Sequence, residues 1–391
     1  MNNFERIPSM FTDGLMQIFL AAFLLLALFY KQLEISVLLL MLLMTGILAR
    51  VWAYIGSKKF SARFKYDLLR VFPGEEIAID IRALNHFSMP LKVSLSLPVT
   101  RLAAKDKPKY LSASFMLPGG QEENYAWTFV PEQRGCYDLG PVEAEAGDPF
   151  DFCKRPKRND HKSELLVYPR LVPVSLIKPP IREFFGALTA KSPVLDPVLM
   201  DTIRDYHHGH PARHINWKAS VRRQRLQENV FDATVQLKVL LALDVRQYLE
   251  EYEEEFEQVL EVIASLSSWL IAEGNQVGFV SNCKLNGGLY GVLPAAKGTR
   301  QVIQILERLA RLRQEPAGDF DALLQDARVN PGTSCVVFTR EVDEALKLTL
   351  ALLKRRKIAA LTVLSAHSPS YGVEAINLNE LLNPDEEVCY G

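Results

Sequence analysis

The spacing of apolar residues changes character along this chain, and each change marks a different kind of structure. Between Gly14 and Ile55 the only charged residues are Lys31, Glu34 and Arg50. As one helix this stretch would run about 63 Å, roughly twice the hydrocarbon core of a bilayer. The polar knot Lys31-Gln32-Leu33-Glu34 divides it. The pattern therefore predicts two spans, roughly Gly14–Tyr30 and Ile35–Ile55, in a helical hairpin that pairs its own backbone groups. Trp52 and Tyr54 suit the interfacial aromatic belt. From about Phe64 to Arg170 the period becomes two. Ile77, Ile79 and Ile81 alternate with Ala78, Asp80 and Arg82, as do Leu91, Val93 and Leu95 with Lys92 and Ser94, and Tyr125, Trp127 and Phe129 repeat the pattern. Pro73-Gly74, Pro118-Gly119-Gly120 and Gly147-Asp148-Pro149 separate the runs, which predicts an antiparallel β-sandwich. The basic stretch Lys154–Asp160 reads as a surface loop and Val172–Ile181 as a linker.

Beyond the linker, strand-like and helix-like runs alternate. Leu237–Val245, Gln276–Ser281, Ser334–Thr339 and Ile358–Ser365 read as buried strands. Glu250–Glu273, Thr299–Arg313 and Val342–Lys357 read as helices, the first with Phe256, Val259, Ile263, Leu266 and Leu270 along one stripe. This alternation predicts a parallel sheet covered by helices on both faces. The expected division is a hairpin over 1–60, a β-sandwich over 61–171, a connecting segment over 172–235 and an α/β domain over 236–391.

Charge adds orientation. Lys58, Lys59, Arg63, Lys65 and Arg70 follow the second span, opposed nearby by Asp67. The positive-inside rule then puts everything from Ser57 onward in the cytoplasm and, with two spans, the N-terminus too. A hairpin of this kind is a tether, so residues from about Ser57 onward are expected to fold alone. The segment before the first span carries Glu5 and Asp13 beside Arg6, which does not suit a signal peptide. The five cysteines, Cys136, Cys153, Cys283, Cys335 and Cys389, are scattered and form no CxxC pair, which argues against disulfides and zinc. A net charge of −1 gives no global basic field for nucleic acid.

Candidate chemistry is thin. In doubly wound sheets, sites gather at the carboxyl ends of strands, where Asp244 stands. The surrounding pattern is similar to a von Willebrand factor A domain, whose metal site needs Asp-x-Ser-x-Ser there and an Asp after a later strand. Here Arg246 and Tyr248 hold the serine positions, and Arg340 follows the later strand. Without those hard oxygen ligands Mg²⁺ has little to bind, and pairing of Asp244 with a nearby arginine is the expected use. His207, His208, His210 and His214 crowd together, yet no acid or cysteine is interleaved and Pro211 interrupts any helix. No P-loop, no GxSxG and no nucleophile–base pair is evident, so no cofactor and no catalysis are expected.

The segment from Asp201 onward carries Arg204, Tyr206, Gly209, Arg213, Ile215, Trp217, Lys218, Ala219, Ser220 and Arg222. This spacing resembles the signature of domain of unknown function family 58. Upstream, Arg134-Gly135-x-Tyr137, Leu139-Gly140-Pro141, Asp148-Pro149-Phe150 and Tyr168-Pro169-Arg170 resemble that family's preceding β-domain, so the resemblance spans nearly the whole chain. His210, Asn216 and Val221 depart from its usual Asp, Asp and Ala. The resemblance implies a membrane-associated, non-enzymatic scaffold that works with a MoxR-type AAA+ ATPase and with other membrane or A-domain proteins, and a von Willebrand A-like, Rossmann-type C-terminal domain. Metal-dependent ligand binding by that domain is the alternative. Arg204, Arg213 and Trp217 are expected to fix the connecting segment against the α/β domain rather than to meet a partner.

Overall fold

The computed structural model describes residues 14–102, 108–158, 161–173, 200–206, 215–231, 237–248, 250–286, 291–326, 333–356, 358–366 and 375–378. The chain divides into two compact units, Met1–Tyr168 and Pro169–Gly391.

The first unit opens with α1 (Gly14–Phe29) and α2 (Leu33–Lys59). Lys31 takes a positive φ of 52° in the tight turn between them. The helices pack on one another, and Arg50 Nη1 donates to Gln17 Oε1 at 2.6 Å. Among the described residues α2 is the helix long and apolar enough to cross a membrane; α1 is a shorter apolar helix. Glu34 lies in the first turn of α2 and Lys58 and Lys59 in its last, where the helix dipole favours each sign.

Two sheets follow. One orders β1 (Phe60–Phe64), β3 (Ile77–Asn85) and β6 (Glu122–Phe129) side by side. The other is built from β2 (Leu68–Val71), β4 (Leu91–Arg101), β5 (Lys109–Leu117), β7 (Gly135–Leu139), β8 (Glu143–Gly147), β9 (Lys154–Arg158) and β10 (Ser163–Val167). Its order is β2-β10-β7-β4-β8-β9, with β5 on the free side of β4. The alternating residues do meet in one core, which holds Ile79, Ile81, Leu91, Val93, Leu95, Trp127 and Leu165. Two sequence expectations are corrected here. Pairing is antiparallel except for β2 and β10, which run parallel. Lys154–Arg158 is an edge strand and not a loop. Lysine, arginine and Pro156 are the residues that guard a sheet edge against further pairing, so their polarity hid the strand.

The last turns of α2 belong to this unit's packing. The helix lies along β8 and β9, with Ala49, Ala53 and Gly56 buried. A Cβ on Gly56 would sit 2.3 Å from Leu91 Cδ2. Trp52 donates to Pro90 O at 3.0 Å and meets the Phe87 ring edge-on. A cut at Ser57 would remove Ala49, Ala53 and Gly56, part of what covers the β core. Beside this contact the fully buried Asn85 ties two loops together. Its Nδ2 donates to Met89 O, Leu117 O and Pro118 O, and its Oδ1 accepts from Phe87 N at 2.9 Å. The loops touch so closely that a Cβ on Gly119 would lie 2.2 Å from Ser88 O.

The second unit begins with a ribbon of β11 (Met200–Asp205) against β12 (Gln227–Phe231), with α3 (Trp217–Arg223) between them. Its main sheet contains β13 (Lys238–Leu243), β14 (Gln276–Ser281), β16 (Val292–Ala296), β18 (Thr333–Thr339), β19 (Ala359–Leu364) and β20 (Ala375–Asn377). The order is β16-β14-β13-β18-β19-β20. Every pair is parallel except β14–β16, so an antiparallel edge strand modifies the all-parallel expectation. A side ribbon pairs β15 (Cys283–Leu285) with β17 (Leu312–Pro316). The helices are α4 (Glu253–Ala272), α5 (Thr299–Arg311), α6 (Phe320–Asp326) and α7 (Glu344–Arg355). Phe320, Leu324, Leu346 and Leu350 from α6 and α7 cover the sheet face that presents Leu240, Ala242, Cys335 and Val337. Val239, Leu241 and Leu243 alternate with these and are equally buried, so neither face is left open.

Two predictions follow from this packing. Gly119→Ala should lower the stability of the first unit by about 1–3 kcal/mol, because the clash is with backbone; thermal unfolding of the full chain in detergent measures it. Cys335 is fully buried in β18, and burial pushes its thiol up to about 12. It should resist alkylation at pH 8 until the unit unfolds. Because its folded pKa is raised, the associated stability is intact below about pH 9 and is lost as pH rises toward 12.

Candidate functional site

The carboxyl ends of β13, β14 and β18 meet around Asp244, which is 1% exposed. Its backbone N–H donates to Phe338 O at 2.9 Å, which holds it against β18. Removing a carboxylate from water is costly unless it is paired and hydrogen-bonded, and every partner it needs is present. Arg246 Nη2 donates to Oδ2 at 2.7 Å, and Arg246 Nε sits 3.0 and 3.1 Å from the two oxygens. Arg246 N and Asn282 Nδ2 donate to Oδ1 at 3.1 and 2.9 Å. Asn282 Oδ1 in turn accepts from Val245 N at 2.9 Å. The arginine that the sequence reading left unnamed is therefore Arg246, which stands at the first of the two serine positions.

Two further acids face the same guanidinium. Asp321, in the first turn of α6, lies 3.5 Å from Arg246 Nη1, and Asp343 lies 3.7 Å from Nη2. Each has a second duty: Asp321 accepts from Thr349 Oγ1, and Asp343 caps α7 by accepting from Leu346 N at 2.7 Å. Hydrogen bonding to Asp244, reinforced by the three acids' charges and opposed by partial burial, raises the arginine above its already high range. A permanent cation thus occupies the middle of a three-aspartate cluster. Among the described residues no group of three or more His, Cys, Asp or Glu side chains is arranged to hold a metal ion.

Arg340 does not join this cluster. Its Nε donates to Glu255 at 3.3 Å, its Nη1 to Glu341 at 3.0 Å, and its guanidinium lies 3.6 Å from the Tyr252 ring centre. Tyr248, at the second serine position, is buried, bonded through its hydroxyl to Ser365 at 2.9 Å and packed on Phe256. Burial raises its phenol well above the ordinary range. Asn282, Asp321 and Asp343 escaped the sequence reading. An acid just ahead of the apolar run of α7 was the available signal for Asp343, and the end-of-strand position for Asn282.

The signature residues are placed unevenly. Tyr206 N donates to Leu226 O, and Asn216 caps α3 by accepting from Ala219 N at 3.0 Å. Asparagine caps as well as the aspartate it replaces, which explains why that departure is tolerated. Ser220 Oγ accepts from Gln227 N at 2.9 Å and closes α3 onto β12. Trp217, expected to be a staple, is instead 67% exposed, with Val221 one turn along at 78%. Arg222 is exposed as well. The backbone of Arg204 lies in β11. Gly209, Arg213 and the histidines at 207, 208, 210 and 214 fall outside the described residues, as does most of the proposed linker. In the first unit a hollow of about 230 Å³ opens where α2 runs into β1, lined by Phe60, Arg63, Ala144 and Lys157. It is small beside the few hundred Å³ or more of ordinary ligand pockets.

A family model described as "Protein of unknown function DUF58" matches residues 202–368, which include both the signature and the Asp244 cluster. Residues 202–368 therefore carry a DUF58 domain. The match lies within the second unit and leaves the helices and β-domain outside it, a narrower reach than the motif resemblance suggested. No curated protein matches this chain. Similar solved structures include PapD-like domain 7 of human CEP192, at 18% identity over 28% of this chain and 84% of that one, TM-score 0.22. Another is a CARDB domain from Pyrococcus furiosus solved with two metal ions, at 12% identity over 28% and 91%, TM-score 0.20. Overlaps this slight carry no argument about fold or function.

Arg246→Ala would strand a fully buried carboxylate and should cost about 3–5 kcal/mol, with Arg246→Lys intermediate because it keeps charge but loses the fork. Thermal unfolding of the two variants beside the parent tests this, and equal stability of all three would refute the clamp.

Proposed function

We propose that this DUF58 protein is a membrane-anchored, non-enzymatic interaction protein whose partner is a MoxR-type AAA+ ATPase. In this reading α1 and α2 form a two-pass hairpin, and the basic residues from Lys58 to Arg70 keep both soluble units in the cytoplasm. The α/β unit serves as a von Willebrand A-like binding module in which Arg246 stands where a divalent cation would otherwise neutralise the aspartates.

The observation that carries the reading is the exposed face of α3. Large apolar side chains on a capped, well-tied helix cost solubility unless something covers them, and aromatic residues dominate the energetics of interfaces. Trp217 and Val221 present such a face within the most recognisable part of the sequence. Association with the ATPase comes from the family resemblance, and the exposed face supplies a place for it.

The test is co-purification of the detergent-solubilised chain with a MoxR-type ATPase encoded beside it. Trp217→Ala combined with Val221→Asp should cut retention about tenfold or more without moving the melting temperature. Retention unchanged by the double variant, or no association by the parent, would defeat the proposal. The competing reading, metal-dependent ligand binding, rests on the three aspartates around Arg246. Calorimetry decides it: micromolar Mg²⁺ or Mn²⁺ binding that disappears in Asp244→Ala would establish that reading instead.

A further inference from the structure

The hairpin between β8 and β9 climbs α2 in step with it. Lys157 Nζ donates to Lys58 O at 3.5 Å, and the Arg155 guanidinium lies 4.9 Å from the Tyr54 ring centre. Steps of four residues on a helix rise about 6 Å, and steps of two on a strand about 6.6 Å. The two elements therefore stay level, and the hairpin tip at 148–152 lies beside Arg50 or deeper along the helix. If Glu34 marks one edge of the hydrocarbon, about 30 Å of helix ends near Tyr54. The tip then sits at the boundary of acyl chains and headgroups on the side where α2 leaves the bilayer.

The tip is built to face such a boundary. Asp148 is buried and turns inward: its Oδ2 accepts from Phe150 N and Phe152 N at 3.1 and 3.2 Å, and its Oδ1 from Cys153 N at 2.6 Å. Asp151, at a φ of 66°, is neutralised by Lys92 and Lys154 at 3.0 and 2.9 Å. The loop's two acids are thus paired within the protein while its two rings are exposed, Phe150 at 78% and Phe152 at 42%. Met116 and Met89 are exposed nearby: Met116 pairs with Lys92, which pairs with Gly147, and Met89 adjoins the Trp52 contact. Lys58, Lys59 and Arg155 flank this rim, a complement to phosphate headgroups.

We propose that the Asp148–Phe152 tip, with Phe150 and Phe152 as its apolar wedge, is a second membrane contact that inserts into the interfacial layer of the leaflet from which α2 emerges. The occupant is the lipid bilayer itself. This rests on the reading that α2 crosses the membrane. Its consequence is mechanical: a helix and a hairpin tip fix the β-domain's tilt on the bilayer, where a single helix would let it swivel.

The experiment places tryptophans one at a time in the full chain at Phe150, at Leu40 within α2 and at Glu132 at the other end of the β-domain. Each variant is reconstituted in nanodiscs of phosphatidylcholine and phosphatidylglycerol with or without mid-chain bromines. The parent's emission is subtracted, and unfolding curves check that each variant folds as the parent does. We expect about twofold or greater quenching at positions 40 and 150 and none at 132. Quenching at 40 without quenching at 150 or at Phe152→Trp overturns the wedge and leaves the anchor standing. No quenching at 40 brings down the anchor and the wedge together. Quenching at all three sites overturns the wedge, since contact would then not be confined to the tip.

Discussion

A carboxylate taken out of water at the end of a buried strand must be paired, and here the pairing cation is a side chain two residues along the chain. Asp244 is held by Arg246, by Asn282 and by the backbone of the turn that follows it. Through Arg246 the same charge reaches Asp321 in α6 and Asp343 at the cap of α7. One buried acid thus joins the ends of β13 and β14 to two helices. A guanidinium stays charged at every accessible pH and its fork matches a carboxylate, so the clamp needs no ion from solution. The surrounding geometry is held by charges that the chain itself supplies.

The first unit applies the same rule with smaller groups. Asn85 and Asp148 are buried short side chains that satisfy the backbone of loops which would otherwise need water. Asn85 joins the β3–β4 and β5–β6 loops; Asp148 folds the β8–β9 tip. Both sets of loops lie against α2, through Trp52 in one case and through the climbing hairpin in the other. A helix that grips a β-domain by its last turns cannot act as a loose leash.

Much of this was legible in the sequence, because burial imposes periodicity. Period two around Ile77–Ile81 and Leu91–Leu95 reported strands with a core behind them, and the continuous apolar run at Leu237–Val245 reported a strand covered on both faces. The signal failed where burial did not govern composition. Strand β9 carries the charges of a guarded edge, and β16 is an edge strand with only Leu293 among its residues fully buried, so neither stood out. The clamp was half legible. Asp244 was found by its place at a strand end, but choosing between Arg246 and Arg340 required knowing that Glu255 and Glu341 hold the latter. Trp217 was misread because a large aromatic looks the same in sequence whether it packs inward or outward.

The side chains around Asp244 are not independent of the core beneath them. Exchanging Arg246 for a small hydroxyl residue costs its ion pairs, but Tyr248 is a different matter. It is fully packed, its ring against Phe256 and its hydroxyl on Ser365, which also reaches Glu255. A serine there would leave a cavity the size of a phenol ring between α4 and the sheet, and interiors collapse only partly around such losses. The charge network and the core have thus been fitted to one another, so that neither substitution is neutral without the other. The acid-rich end of the sheet is a structural joint that ties β13 and β14 to α6 and α7.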